Sequence, residues 1–232
     1  MGHPVYEIID QNDNFVVINK FQNVSVHKDQ NDTGLTMQLQ DDLTLSKIFL
    51  VHRLDKITSG LMIFAKNVET ASEFGKKFSQ RQISKYYLAV SDKKPRRKQG
   101  AIIGDMAKAR RGGWKLLPSK EDPAITQFFS TSIKPGFRLF IIKPTTGKTH
   151  QIRVALKSEG APIYGDQLYG GTEADRVYLH AYQLCFEYDG KKFEYRCLPK
   201  EGALLDQDAL QVINDFCSQP HVLSWPNLKK GK

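Results

Sequence analysis

The stretch Val51-His52-Arg53-Leu54-Asp55-Lys56-Ile57-Thr58-Ser59-Gly60-Leu61 sets one acidic side chain, Asp55, in a short polar loop between two apolar runs. Arg53 and Lys56 beside it favour the ionised carboxylate. The Thr-Ser-Gly that follows is turn chemistry. An ionised carboxylate fixed in such a loop can act as a nucleophile, a base or a metal ligand. The residues of this stretch leave those roles open, beside the plain reading of a turn.

Working outward, short strand-like runs dominate: 5–10, 15–19, 61–66, 85–91, 126–133, 137–143, 177–188 and 191–198. Asp189-Gly190 predicts a two-residue hairpin joining the last two, and Gln11-Asn12-Asp13-Asn14 predicts the turn of an N-terminal hairpin. Asn67 is placed to cap a helix over 68–80, with Val68, Ala71, Phe74 and Phe78 on one face. Thr149 is placed to cap a second helix over 150–158, stopped by Glu159-Gly160. A last helix is expected from 202 to about 216, with Leu205, Leu210 and Ile213 inward. The pattern is α+β with a mixed, mainly antiparallel sheet, read as one domain over 1–220 and a tail over 221–232.

Composition narrows the class. Hydrophobic residues make up 40% of the 232 and charged residues 25%, ordinary values for a globular chain. No apolar run approaches a membrane span, and the N-terminus lacks the pattern of a secretory signal, so a cytoplasmic protein is expected. Cys185, Cys197 and Cys217 form neither a CxxC pair nor a disulfide framework and read as small buried hydrophobes in a reducing compartment. The net charge is +9, unevenly spread. Residues 76–120 hold fourteen Lys or Arg against two acids and carry +12, leaving the rest of the chain at −3. A concentrated positive field suits a polyphosphate partner, although a basic run alone is unspecific.

Two separated motifs add specificity. His52-Arg53-Leu54-Asp55-x-x-Thr58-Ser59-Gly60 resembles the signature loop of the RluA-type pseudouridine synthases, RNA uridine isomerases in which this Asp is the nucleophile. Thr146-Gly147-Lys148-Thr149-His150-Gln151-Ile152-Arg153-Val154, followed by Gly160-x-Pro162-Ile163-x-Gly165-Asp166-x-x-Tyr169-Gly170, is similar to the family's later motif, whose Arg pairs with that Asp. Lys85-Tyr86-Tyr87 resembles the strand that carries the family's aromatic residue. Asn19-Lys20 with Val26-His27, Ala124-Ile125-Thr126 and Leu179-His180-Ala181 complete the match in order. Phe21, Asn23, Lys148 and Ala155 depart from the usual pattern. The first motif lies almost at the start of the sequence, so no S4 domain is expected. Gly147-Lys148-Thr149 is not a P-loop, because Ile142 stands where that motif needs Gly.

The resemblance implies a pseudouridine synthase fold with flanking helices and a central cleft. It implies Asp55 as nucleophile, Arg153 as its partner and Tyr87 as the platform for the base. His52, Arg53, Thr58, Ser59, Lys148, His150 and Gln151 become candidate substrate contacts. Lys93, Arg96, Arg97, Arg110 and Arg111 become candidates for gripping ribosomal or transfer RNA. Isomerisation involves no redox change and no phosphate cleavage, so no cofactor, nucleotide or metal is implied. A basic monomer is the simplest assembly.

Overall fold

The computed structural model describes residues 5–26 and 34–228; His27 and the chain ends lie outside them. In chain order the elements are β1 (Tyr6–Gln11), β2 (Phe15–Lys20), α1 (Leu35–Asp42), β3 (Phe49–Leu50), β4 (Ser59–Ala65) and α2 (Val68–Ser79). There follow β5 (Ser84–Ser91), β6 (Gln99–Gly104), β7 (Met106–Lys108), β8 (Trp114–Leu116), β9 (Ala124–Lys134) and β10 (Phe137–Pro144). The last are α3 (Gln151–Ser158), β11 (Leu179–Tyr188), β12 (Lys191–Arg196) and α4 (Gln207–Cys217). The expected α+β class with mainly antiparallel pairing is what the chain adopts. Its backbone groups into two compact units, Met1–Ser84 with His180–Leu198, and Lys85–Leu179 with Pro199–Lys232.

In the first unit β1 pairs β2, β2 pairs β4, and β3 pairs β4, all antiparallel. β11 lies parallel to β4 and antiparallel to β12. Every residue of β2 and β4 is buried, as befits inner strands covered on both faces. Phe15 sits at the centre of an aromatic cluster, its ring edge-to-face with Phe74, Phe186, Tyr188 and Phe193 at 5.4–5.7 Å. Both turn expectations hold. Asn12 Oδ1 accepts from the amides of Asn14 and Phe15, and Asp189-Gly190 has the two positive φ angles, 50° and 67°, of a hairpin turn. Asn67 caps α2 by accepting from the Thr70 amide at 2.8 Å. Val68 is a correction: as the first helical residue it points outward, 60% exposed, and Thr70 is buried instead.

In the second unit β5, β10, β9 and β6 form an antiparallel run, with Leu139, Phe140, Ile141 and Ile142 of β10 fully buried. β7 and β8 make a separate small hairpin. The C-terminal tail is fastened at Trp225. Its ring lies against Tyr86 and Phe129, and Gln127 Nε2 donates to the Pro226 carbonyl at 2.6 Å. Two helix starts differ from expectation. α4 begins at Gln207, because Asp206 supplies the cap to Ala209 and Leu205 closes a turn onto Gly202. α3 begins at Gln151 with left-handed His150 before it, and no side chain caps it. β3 falls in the apolar run before the Asp55 loop, whereas α1, β6, β7 and β8 were not expected from the pattern. Cys197 and Cys217 are buried and Cys185 is partly buried.

Candidate active site

Asp55 belongs to the first unit and heads a turn closed by the Thr58 amide on its own carbonyl at 3.0 Å. Its side chain is half-buried between buried Leu54 and buried Thr58, with Arg53 and Lys56 exposed. Three separate anchors hold this turn. His52 Nε2 accepts the amide of Ile63 at 2.9 Å, and its ring stacks on Phe78 at 4.7 Å. That bond extends the β3–β4 ladder beyond its last backbone pair. Lys20, fully buried, donates to the carbonyls of Phe21, Val24 and Lys56 at 3.0–3.1 Å. Hydrogen-bond acceptors around the ammonium are what make its burial tolerable.

The third anchor is Ser59, whose hydroxyl lies 2.8 Å from His180 Nδ1. His180 Nε2 is 2.9 Å from the Cys197 carbonyl. A carbonyl only accepts, so Nε2 carries the hydrogen, and in the neutral ring Nδ1 accepts from Ser59. Both side chains are buried, at 5% and 3% exposure, so the pair is a brace and not a nucleophile with its base. Gly60 completes it. With φ 114° and a would-be Cβ 2.3 Å from the Ala181 carbonyl oxygen, this position admits only glycine.

Tyr87 and Arg153 belong to the second unit. Tyr87 lies in β5 opposite Ile142 and is buried to 9% exposure. Lys85 shares its face by strand alternation, and burial pushes the Lys85 ammonium below its usual range. Arg153, 5% exposed, is no surface helix residue. Its Nε and Nη2 donate to the two carboxylate oxygens of Asp166 at 2.7 and 2.8 Å, and its guanidinium stacks 4.8 Å from the ring centre of Tyr169. A bidentate pair of this kind fixes the plane of the guanidinium. Asp166 and Tyr169 were visible in the later motif, but nothing in their spacing assigns them to Arg153.

The remaining candidates divide by surroundings. Gln151 is wholly engaged inside the protein: Oε1 accepts from Thr146 Oγ1 and the Lys148 amide, and Nε2 donates to the Ile125 carbonyl and Thr126 Oγ1. It organises the loop before α3. Lys148 forms an ion pair with Asp122, and His150 Nδ1 lies 2.7 Å from the Tyr169 hydroxyl. Arg97 forms an ion pair with Glu159, a residue that also takes the Arg96 amide on its carbonyl. Lys93, Arg96, Arg110 and Arg111 have exposed side chains. Arg110 and Arg111 stand at the tip of the β7–β8 hairpin. Among the described residues no group of His, Cys, Asp and Glu could hold a metal, and no helix is long and apolar enough to cross a membrane.

Comparison with known proteins shows the family. A family model described as RNA pseudouridylate synthase matches residues 14–158. An uncharacterized RNA pseudouridine synthase of Haemophilus influenzae is 56% identical over 217 residues, covering 92% of this chain and 97% of that protein. A tRNA pseudouridine synthase C of Haemophilus ducreyi is 28% identical, covering 90% of this chain and 95% of that protein. Among solved structures, human RNA Pseudouridylate Synthase Domain Containing 4 superposes with a TM-score of 0.70 at 26% identity, covering 83% of this chain and 88% of that one. The chain belongs to the RNA pseudouridylate synthase family.

Proposed function

We propose that this protein converts uridine to pseudouridine in ribosomal or transfer RNA, with Asp55 as the nucleophile and no cofactor. The reaction breaks the bond from uracil N1 to ribose C1′, turns the base and joins its C5 to C1′. N1 gains a proton and C5 loses one. Asp55 attacks C1′ or stabilises a glycal intermediate. Arg153, its plane set by Asp166, serves to orient the Asp55 carboxylate. Tyr87 stacks on the base or takes part in proton removal from C5. The target uridine leaves its stack to reach them. Arg53, Lys93, Arg96, Arg110 and Arg111 draw the RNA backbone by its charge. The protein works as a monomer in the cytoplasm.

The observation that carries the reading is the mounting of Asp55. Its loop is fastened by Lys20, His52 and Ser59 within a chain of this family, while the carboxylate itself stays only half-buried. The decisive experiment uses RNA labelled with uridine tritiated at C5. Asp55→Ala abolishes tritium release and leaves RNA binding largely intact; tritium release at the wild-type rate rejects Asp55 as nucleophile. Neutralising Lys93, Lys94, Arg96 and Lys98 together lowers the log–log salt slope of binding by about one unit for each phosphate that these side chains neutralise in the wild type.

A further inference from the structure

Tyr169 is buried to 3% exposure, and the proposed function gives it no part, yet both ends of its side chain are engaged. We infer that Tyr169 is a positioning residue with two separable halves: its ring sets Arg153, and its hydroxyl sets the basic hairpin tip. The inference rests on the reading that Arg153 serves Asp55 and that Arg110 and Arg111 meet RNA.

The ring half follows from Arg153. Asp166 holds the Nε and Nη2 edge at 2.7 and 2.8 Å, which fixes rotation within the guanidinium plane. Tilting out of that plane is opposed by the Tyr169 ring, 4.8 Å from Arg153 Cζ. The attraction of a cation to the ring face keeps the two together. Edge and face jointly leave the guanidinium one orientation.

The hydroxyl half follows from the hairpin. The Trp114 amide donates to the Tyr169 hydroxyl at 3.0 Å, and His150 Nδ1 lies 2.7 Å from the same oxygen. Trp114 begins β8, directly after a tip closed by Ala109 N–H on the Gly113 carbonyl at 2.8 Å and Gly113 N–H on the Arg110 carbonyl at 3.2 Å. Gly113 is buried against this oxygen; a Cβ there would stand 4.0 Å from it. The turn that exposes Arg110 and Arg111 is therefore tied to the side chain on which Arg153 stacks.

The test is steady-state tritium release from bulk RNA of cells lacking the protein, labelled with uridine tritiated at C5. Tyr169→Phe keeps the ring and loses the hydroxyl. It raises the apparent KM about tenfold with kcat held within about threefold, the signature of weakened binding with the chemistry intact. In an Arg110→Ala/Arg111→Ala background the same exchange leaves KM unchanged, because the tip it orients no longer carries charge. Tyr169→Leu loses the ring as well and lowers kcat by about a hundredfold; Tyr169→Met replaces it if circular dichroism finds the Leu variant unfolded. A Phe variant that changes neither constant, or that lowers kcat as far as Leu does, overturns the inference. Asp55→Ala and Arg153→Ala run alongside. Activity in those two rejects the underlying reading, whereas their inactivity with an unsplit Tyr169 series rejects only this inference.

Discussion

The Ser59 hydroxyl and His180 Nδ1 lie 2.8 Å apart across 121 positions of sequence. They join the far side of the Asp55 loop to the start of β11. His180→Ala strips a donor from the buried Cys197 carbonyl and an acceptor from Ser59, and is expected to cost about 2–4 kcal/mol of stability. Ser59→Ala removes one hydrogen bond and costs about 1 kcal/mol. Urea denaturation of both variants measures the difference. Equal losses would mean that His180 matters only as the partner of Ser59.

Gly60→Ala is the harshest single change expected near the site. The added methyl meets the Ala181 carbonyl oxygen at 2.3 Å in a backbone conformation that L side chains rarely adopt. Strain and clash together are expected to cost at least about 3 kcal/mol. The readout is the soluble yield and thermal midpoint of the purified variant; a midpoint within a degree or two of wild type would contradict the parallel contact.

Lys20→Met removes the ammonium that gathers the carbonyls of Phe21, Val24 and Lys56. Losing the donor that these carbonyls share is expected to cost about 3 kcal/mol. Lys20→Arg does not restore the loss, because a planar guanidinium cannot aim three donors from one nitrogen. Chemical denaturation of both variants, with tritium release beside it, checks the expectation: turnover falls with stability because the Lys56 carbonyl belongs to the Asp55 turn.

Much of the site was legible because its decisive residues lie in short strings. His52 to Gly60 and Thr146 to Val154 each show their pattern in consecutive residues, and alternation marked most inner strands. Pairings across long stretches were not legible. Nothing near Arg153 singles out Asp166 over other acids, and nothing near Ser59 points to His180. Thr149 was a reasonable cap by type, but His150 turns left-handed and Gln151 satisfies the loop instead. β6, Gln-Gly-Ala-Ile-Ile-Gly, shows no alternation and carries two glycines, and β7 and β8, three residues each, are too short to show a period. α1 escaped because its sequence, Leu-Thr-Met-Gln-Leu-Gln-Asp-Asp, follows a Gly that offers no capping side chain.

Tyr178 gives a pH dependence. Burial is the main cause that pushes its phenol from the ordinary 10.0 up to about 12; the Leu204 amide opposes the rise, and the hydrogen bond and charge of Asp175 add to it. A folded pKa above the unfolded one favours the protonated form in the native state. The contribution is therefore complete below pH 10 and lost as pH rises to about 12. Denaturation midpoints of wild type and Tyr178→Phe are expected to converge over that interval. A constant gap from pH 9 upward would refute the assignment.

The parallel pairing of Ser59-Gly60 with His180-Ala181 has a consequence for synthesis on the ribosome. Asp55 is translated well before the strand that braces its loop, which arrives only near residue 180, and the Cys197 carbonyl that fixes the His180 tautomer comes later still. A nascent chain arrested before that point carries Asp55 without its buttress. Contacts this distant in sequence close late, so the Asp55 loop gains its brace only after the whole of Lys85–Leu179 has been made.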